Sequence, residues 1–327
     1  MFKSFFLSAV SLCLVAGCAS VGPATAPKNA LQSLRVGVQS AQPAQTQTAW
    51  QPLVDDMGKK LGLPVKLAAA SQADTVEALR VGAVDVVWLS SSAAIDAVVL
   101  ANARAVALYF NVNGTNGYKS VLVTRTDTGI TSLDEALTPR KYRFGGGAIT
   151  STSGYVLPQH FLFTPRRTTA EGIFKSVSEA SHFQNLDALW ASKVDVVVNN
   201  TTDLAVFEAR TPGAKDKLRT LWESPLVPND VLMVRADMPP AQRMQVAAAF
   251  INYGATAPEK ELLRKASGIS HFVTTDNRIL EPVSQFKFAA ERSRIEQNAA
   301  LTAPQKEQAL ATLAQSVVRF KQSLDAK

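Results

Sequence analysis

The sequence predicts an α/β protein built from two similar lobes, with additional helices at its C-terminal end. Three observations support this prediction: short apolar strands alternate with amphipathic helices, one helix–turn–strand pattern occurs twice, and two segments could cross between the lobes. Alternating strands and helices favour parallel sheets with helical crossovers. The chain of 327 residues is long enough for about two domains, each with its own core.

Apolar and amphipathic runs follow one another along the chain in a regular order. The strand Val84–Trp88 shows little polar alternation, which is typical of a strand buried on both faces. Expected strands are 34–38, 64–67, 84–88, 105–110, 118–124, 142–144, 218–222 and 231–234. Expected helices are 49–61, 74–81, 91–101, 155–163, 202–210, 240–252 and 257–266, followed by a helical tail.

The repeated pattern spans residues 77–91 and occurs again at residues 187–201, with a constant offset of 110 residues. Each copy contains a helix, a turn, a Val-Asp-Val-Val strand and a polar exit. Open α/β sheets bind ligands at the carboxyl ends of their strands, so the two polar exits are candidate ligand loops. The alternative is a chance similarity between two valine-rich strands.

Two segments are expected to connect the lobes. Tyr118–Thr124 could cross from the first lobe to the second, and the proline-bracketed turn Ser224–Asp230 could return. This predicts a first lobe of residues 33–124 plus 231–327, which includes the C-terminal helices, and a second lobe of residues 125–230. Two crossings form a hinge beside a cleft that suits a small molecule.

The N-terminal segment indicates export and attachment to a membrane. Residues 1–18 have a short positive start and an apolar run too short to span a bilayer, as in a signal peptide. They end in a lipobox-like Leu-Val-Ala-Gly-Cys, so Cys18 is the expected lipid anchor and residues 19–32 the tether. An ordinary signal peptide cut after Ala24-Thr25-Ala26 is the alternative. Both cysteines lie in this segment, so the body has no predicted disulfide.

The stretch Ser151-Thr152-Ser153-Gly154 is the candidate anion site. It follows a glycine-rich turn and precedes a predicted helix, which combines free backbone N–H groups with three hydroxyl donors. The alternative is that these hydroxyls only cap the helix. The net charge of +7 is scattered, without the basic run expected of a nucleic-acid binder.

The sequence gives little support to a catalytic function. The three histidines are far apart, and no metal-ligand spacing, P-loop, dinucleotide fingerprint or nucleophile elbow occurs, so neither metal nor cofactor is predicted. A periplasmic hydrolase of phosphorylated compounds remains an alternative, with His182 as the candidate base.

Several motifs in register resemble the periplasmic phosphonate-binding proteins of ABC transporters, and the resemblance covers roughly residues 34–325. The matching stretches are 50–53, 57–62, 117–121, 151–154, 181–182, 193–201, 222–230 and 250–254. The resemblance implies a type II periplasmic binding-protein fold that delivers a phosphonate or related oxyanion to a membrane permease. A lipoprotein sensor with the same fold is a further alternative.

The resemblance also implies roles for individual residues. Ser151, Thr152 and Ser153 would bind the phosphonate oxygens, and Tyr118 and His182 would add donors. Asp230 would face the other end of the ligand, where relatives can engage an amine. Structural alternatives are a hydrogen-bonding role for His182, hinge packing for Tyr118 and turn capping for Asp230. These ligand-binding residues are Tyr118, Ser151, Thr152, Ser153, His182 and Asp230.

Two positions depart from the aminoalkylphosphonate binders of this family. Gln72 stands where a tyrosine can occur, and Thr202 stands where an acid can occur, with Asp203 one step later. One step on a helix turns a side chain by about 100°. The departures predict a weaker preference for an amine-bearing ligand, and phosphite, phosphate and phosphate esters stay open.

The C-terminal tail has a helical apolar stripe. Its members are Leu310, Leu313, Val317 and Phe320. The stripe is expected to pack against the body, and a homodimer contact is the alternative.

Overall fold

The framework of the protein, in a computed structural model that describes residues 31–325, consists of two β-sheets flanked by helices. The strands are β1 (Leu34–Gln39), β2 (Val65–Ala70), β3 (Val86–Leu89), β4 (Arg104–Asn111), β5 (Gly117–Tyr118), β6 (Ser120–Arg125), β7 (Arg143–Gly146), β8 (Ser176–Glu179), β9 (Val196–Asn200), β10 (Leu218–Glu223), β11 (Val227–Pro228), β12 (Val231–Val234) and β13 (Ile269–Thr274). The first sheet has the order β13-β4-β12-β3-β1-β2 and the second β10-β6-β9-β7-β8.

The helices cover both sheets and extend to the C-terminal end. They are α1 (Pro43–Leu61), α2 (Gln72–Arg80), α3 (Ser91–Ala101), α4 (Leu133–Ala136), α5 (Ala170–Ile173), α6 (His182–Trp190), α7 (Thr201–Arg210), α8 (Ala214–Lys217), α9 (Pro240–Ile251), α10 (Ala257–Ser267), α11 (Glu281–Gln297) and α12 (Ala303–Asp325). Two π-helical segments, Thr152–Val156 and Gln159–Phe163, occupy the place of the predicted helix 155–163. None of the helices within residues 31–325 is long and apolar enough to cross a bilayer.

The two sheets are joined by a short antiparallel ribbon. β5 pairs with β11, with Tyr118 opposite Val227, so the two predicted crossings run side by side. The strand Ser120–Arg125 pairs with β9 and β10 and therefore lies in the second sheet, although the predicted boundary after residue 124 assigned most of it to the first lobe. Apart from this strand, the division 33–124 plus 231–327 and 125–230 stays a prediction.

The sequence repeat corresponds to a repeated structural unit. In the first lobe, Asp85 accepts from the backbone N–H of Arg35 at 2.9 Å and from its guanidinium at 2.9 and 2.6 Å. In the second lobe, Asp195 accepts from the N–H of Arg143 at 2.8 Å and from its guanidinium at 3.0 and 2.7 Å. Each aspartate thus fixes a neighbouring parallel strand beside the central one, so chance similarity does not explain the repeat.

The C-terminal helices pack on the body. Phe320 of α12 is fully buried against the first lobe, with the Phe288 ring 5.9 Å away in an edge contact. Phe320 therefore packs as expected, whereas Leu310, Leu313 and Val317 are half-buried, and a homodimer contact stays a prediction. α11 also reaches the second lobe, because the Phe286 ring lies 5.0 Å from the rings of both His160 and Phe161.

Candidate ligand-binding site

A tight glycine turn follows β7 and presents the predicted cradle. The N–H of Gly147 donates to the carbonyl of Gly154 at 3.0 Å, which folds the turn back on itself. A Cβ atom on Gly147 would lie 2.8 Å from the Cα of Gly154, so a side chain is excluded there. The glycines are needed because two stretches of backbone approach closely.

The three cradle hydroxyls make different contacts. Ser151 is the N-cap residue, and its Oγ accepts from the N–H of Gly154 at 3.0 Å. Thr152 is buried and its Oγ1 accepts from the N–H of Ser92, across the cleft, at 2.9 Å. The buried Ser153 places its Oγ 3.0 Å from Nε2 of His182.

Capping and ligand donation are compatible at this helix start. The Ser151 oxygen that accepts from Gly154 keeps its own hydrogen for donation. The N–H groups of Thr152 and Ser153 belong to the first turn of the segment, where no carbonyl of the same helix can reach them. The segment therefore offers uncharged hydroxyl and amide donors to an anion.

His182 is the first residue of α6 and reaches the cradle from a different element. Ser181 caps this helix with a complete capping box, which fixes where it starts. The pKa of His182 is lowered by burial, against opposing contributions from the charge of Asp203 and the Val198 carbonyl. Nδ1 is buried without a partner at hydrogen-bonding geometry within residues 31–325. The ring is thus neutral near pH 7, with Nε2 directed at Ser153.

Tyr118 lies in the ribbon that joins the lobes. Its side chain is buried and lies close enough to Thr152 for that side chain to affect the pKa of its hydroxyl. Burial and the negative charge of Asp230 raise the pKa of the Tyr118 hydroxyl, so it stays protonated and can donate. The hinge aromatic therefore belongs to the same cluster as the cradle.

Asp230 begins the return to the first lobe, directly after β11. Its Oδ2 accepts from Nε1 of Trp88 at 2.7 Å and lies 3.4 Å from Nε2 of Gln39. Burial raises the pKa of Asp230 to about 6, a shift that the Trp88 hydrogen bond reduces and the charge of Asp203 increases. Within residues 31–325 no cationic side chain pairs with this carboxylate.

The structure thus brings the predicted residues into one region with two chemical ends. Ser153 contacts His182, and Thr152 contacts Tyr118. Asp230 is not bonded to these residues, but its charge acts on Tyr118. One end offers hydroxyl and amide donors, and the other offers a buried carboxylate.

Several residues that the sequence analysis did not single out as site residues also face this region. Asp203 follows the second polar exit and its charge acts on Tyr118, His182 and Asp230. Ser92 follows the first polar exit. The repeat pointed to both exits but not to the side chains they would present. Gln39 is the last residue of β1, and no sequence pattern indicated that it would be a site residue.

The two lobes are in contact across the cleft. Thr150 donates to Oε1 of Gln72, and Nε2 of Gln72 donates to Ser90 at 3.1 Å. Nε2 of Gln42 donates to Ser181 at 3.2 Å. Where relatives can have a tyrosine, Gln72 therefore bonds to one residue of each lobe.

A separate cavity lies away from this region. It has a volume of about 580 Å³, is mainly apolar, and lies between α1 and α9 on the first lobe. Its lining includes Met57, Leu61 and Tyr253 but none of the six predicted ligand residues. The convergent polar groups favour the cleft as the binding site.

Comparisons with known proteins show the family of the chain. A family model for the periplasmic phosphonate substrate-binding protein of ABC transporters matches residues 36–279. The chain is 31% identical over 278 residues to the phosphonates-binding periplasmic protein of Escherichia coli K12, covering 84% of this chain and 82% of the relative.

Solved structures give the same result for the fold. A binding-protein component of an ABC phosphonate transporter from Pseudomonas aeruginosa is 29% identical, with a TM-score of 0.77 and coverage of 89% of this chain and 97% of that one. PhnD1 from Prochlorococcus marinus, solved with methylphosphonate, is 18% identical, with a TM-score of 0.68 and coverage of 78% and 97%. At that identity the second likeness concerns the fold alone.

Proposed function

Because the chain belongs to the periplasmic phosphonate-binding proteins of ABC transporters, we propose that its cradle holds the oxyanion end of the ligand between the lobes for delivery to a permease. The family and the type II fold predicted from the sequence are confirmed. The observation that supports the assigned residues is the convergence of Ser151, Thr152 and Ser153 with His182 and Tyr118.

Uncharged donors suit a protein that must release what it binds. Hydrogen bonds from neutral donors to a charged ligand contribute about 1.5–3 kcal/mol each. A few such bonds can supply the roughly 8–12 kcal/mol that corresponds to micromolar to nanomolar binding. A buried bidentate arginine would bind the anion more strongly and oppose release.

The other end of the site favours a ligand that also has a positive charge. Asp230 is buried without a cationic partner among residues 31–325, and the charge of Asp203 adds to its own. Two carboxylates near an anion would oppose binding unless the ligand neutralises them. We therefore propose an aminoalkylphosphonate, such as 2-aminoethylphosphonate, ahead of phosphite, phosphate and phosphate esters. This proposal reverses the weaker preference for an amine that Gln72 and Thr202 led us to expect.

Titration calorimetry with ligand-free protein tests both ends of the site. Ser153→Ala should weaken binding of 2-aminoethylphosphonate and of methylphosphonate by about 10-fold or more, because each loses a charge-assisted bond. Asp230→Asn should weaken binding of the aminated ligand alone. If the wild-type protein bound none of the phosphonates, phosphite or phosphate, the proposal would be wrong.

A matched control separates capping from binding at Ser151. Ser132 caps α4 in the same way, with its side chain accepting from the N–H of Glu135. Ser151→Ala and Ser132→Ala should each cost about 1 kcal/mol of stability. Only Ser151→Ala should reduce affinity, and equal affinities in the two variants would assign Ser151 to capping alone.

We infer that the Ser153–His182 pair positions ligand rather than catalysing hydrolysis. A serine nucleophile needs a base oriented by a third group, commonly a carboxylate, and no carboxylate within residues 31–325 is hydrogen-bonded to Nδ1 of His182. Incubation with a chromogenic phosphonate ester and a phosphate ester should release no product. Turnover that is lost in His182→Ala would instead establish the hydrolase.

The envelope attachment and assembly of the protein are also proposals. Residues 1–18 and most of the 19–32 tether lie outside the described residues, so lipidation at Cys18 stays a prediction. Cys18→Ser should move the protein from the membrane fraction to the soluble periplasmic fraction. Analytical sedimentation tests whether two copies associate through α12. Ligand uptake in a deletion strain tests whether the protein serves transport or a sensor role.

A further inference from the structure

Gln39 has a side chain that is satisfied at one end and unsatisfied at the other. It is the last residue of β1, at the carboxyl end of a central strand of the first sheet. Nε2 lies 3.4 Å from Oδ2 of Asp230, whereas Oε1 is buried without a hydrogen-bond partner within residues 31–325. Buried acceptors without donors are rare in native structures, and each calls for an explanation.

The orientation of this amide follows from its neighbour. If the amide were reversed, its oxygen would face the carboxylate of Asp230, and two acceptors would oppose each other. Nε2 therefore faces Asp230, and the rigid amide holds Oε1 beside the same carboxylate. Oε1 of Gln39 is thus a buried, unpaired acceptor on the same amide group whose Nε2 faces Asp230.

The surrounding aromatic rings do not form a cage for a methylated cation. Trp88 directs its N–H edge, not its face, at Asp230. One face of Trp88 stacks on Tyr109 with ring centres 4.6 Å apart, and Trp50 makes an edge contact at 4.9 Å. Quaternary ammonium groups are recognised by open aromatic faces, whereas Trp88 presents an edge to Asp230 and one of its faces to Tyr109.

We propose that Gln39 sets the specificity of the cationic end by accepting an N–H from the ammonium group of the ligand. The inference rests on the proposed capture of a phosphonate and narrows its class to aminoalkylphosphonates that retain N–H hydrogens. A primary ammonium has three donors and no acceptor. Asp230 takes one donor, and Oε1 of Gln39 takes a second. A trimethylated nitrogen has no hydrogen to give and leaves Oε1 unsatisfied.

Calorimetry with three phosphonates tests this role. The probes are 2-aminoethylphosphonate, its N,N,N-trimethyl analogue and methylphosphonate. The wild-type protein should prefer the primary amine over the trimethyl analogue by at least about 10-fold. Gln39→Leu should bind the primary amine about 10- to 100-fold more weakly and lose most of this preference. Its affinity for methylphosphonate should stay within about twofold.

Two further variants keep the test interpretable. Gln39→Met, which is unbranched at Cβ and Cγ like glutamine, serves if the leucine variant does not fold. Gln51→Leu is the matched control, because Gln51 bonds to Gln47 and Asp55 within α1 and not to Asp230. The control should bind all three ligands as the wild-type protein does.

The outcomes separate this inference from the proposed function. Unchanged affinity of Gln39→Leu for the primary amine would overturn the inference, as would an equal loss for all three ligands, which would assign Gln39 to packing. Wild-type binding of methylphosphonate without binding of the amine would overturn it and leave phosphonate capture intact. Failure of the wild-type protein to bind any of the three would reject the proposed function itself.

Discussion

The two lobes share a framework and differ where their strands end. In each lobe an aspartate before the central strand binds the backbone and guanidinium of an arginine on the neighbouring strand: Asp85 with Arg35, and Asp195 with Arg143. The residues that follow the strands are different. The first lobe presents amides to the cleft through Gln39, Gln42 and Gln72, whereas the second presents the hydroxyls of residues 150–153.

This difference shows which part of a duplicated unit is constrained by folding and which part is available for recognition. The arginine–aspartate pairs fix strand order, and neither contacts the cleft residues directly. The polar side chains at the strand exits are members of neither lobe's apolar core clusters, so they can differ without changing the fold. The hydroxyl side suits an oxyanion, and the amide and acid side suits a cation.

The largest expected effect concerns the shared framework. Asp85→Ala and Asp195→Ala should each lower the free energy of unfolding by about 2–4 kcal/mol, because the backbone N–H and the guanidinium of the neighbouring arginine lose the carboxylate that accepts from them. Asp85→Ala should lower the free energy of unfolding more than Asp195→Ala. The reason is that Asp85 also pairs with Arg235 at 3.3 Å and that its side chain is 10% exposed, against 19% for Asp195. Urea unfolding followed by circular dichroism measures both.

A control for these two variants is the ion pair between Arg125 and the exposed Asp127. The Asp127 side chain is 71% exposed, so Asp127→Ala should change stability by less than about 1 kcal/mol. A larger loss in Asp195→Ala than in Asp85→Ala would contradict the proposed ranking of the two lobes.

An intermediate effect is expected at Asp230, on the acidic side of the cleft. Its pKa is raised from the ordinary value of 3.8 to about 6, so the folded state binds the proton more tightly than the unfolded state. Stability therefore falls as the pH rises through this range, and the penalty is fully present at pH 7. Asp230→Asn should raise the free energy of unfolding at pH 7 by about 1–3 kcal/mol.

The same variant should be neutral in acid. At about pH 4 and below, the wild-type carboxyl is protonated in the folded state, so the advantage of Asp230→Asn should disappear. Denaturation curves at the two pH values measure the difference. A stabilisation that does not depend on pH would show that the charge is not its cause.

The smallest expected effect concerns the contacts that join the two sides. Gln72→Ala removes the bonds to Thr150 and Ser90 and should shift the ligand-free protein toward an open form by about 1 kcal/mol. Small-angle X-ray scattering should show a larger radius of gyration. Thr126→Val, which alters a surface contact within the second lobe, is the control, and an equal change in both variants would contradict the role of Gln72.

The framework could be predicted from the sequence because its signals are local. Valine-rich strands, amphipathic helices and the repeat gave the α/β lobes, and matched motifs gave the family. Helix α1 starts at Pro43, earlier than the predicted 49, because its polar first turns show no apolar periodicity. β8 and β13 were missed because their alternation is weak and their pairing is with distant residues.

The site could be predicted only in part, since its contacts join distant positions. The cradle stretch was visible as a glycine turn followed by hydroxyls. The contacts of Thr152 with Ser92 and of Asp230 with Trp88 join residues far apart in the chain, and no local pattern reveals them. That Asp203 need not replace an acid at position 202 stays a prediction, and the sequence did not reveal that its charge raises the pKa values of Tyr118 and Asp230.

The position of α11 has a consequence for the cycle of opening and closing. Phe286 packs on His160 and Phe161, so a rotation of the lobes that separates these rings exposes apolar surface to water. Part of the tendency to stay shut is therefore built into the resting molecule and is independent of its cargo. Release of a ligand from the cleft then costs the free energy of separating Phe286 from His160 and Phe161, in addition to the free energy of ligand binding.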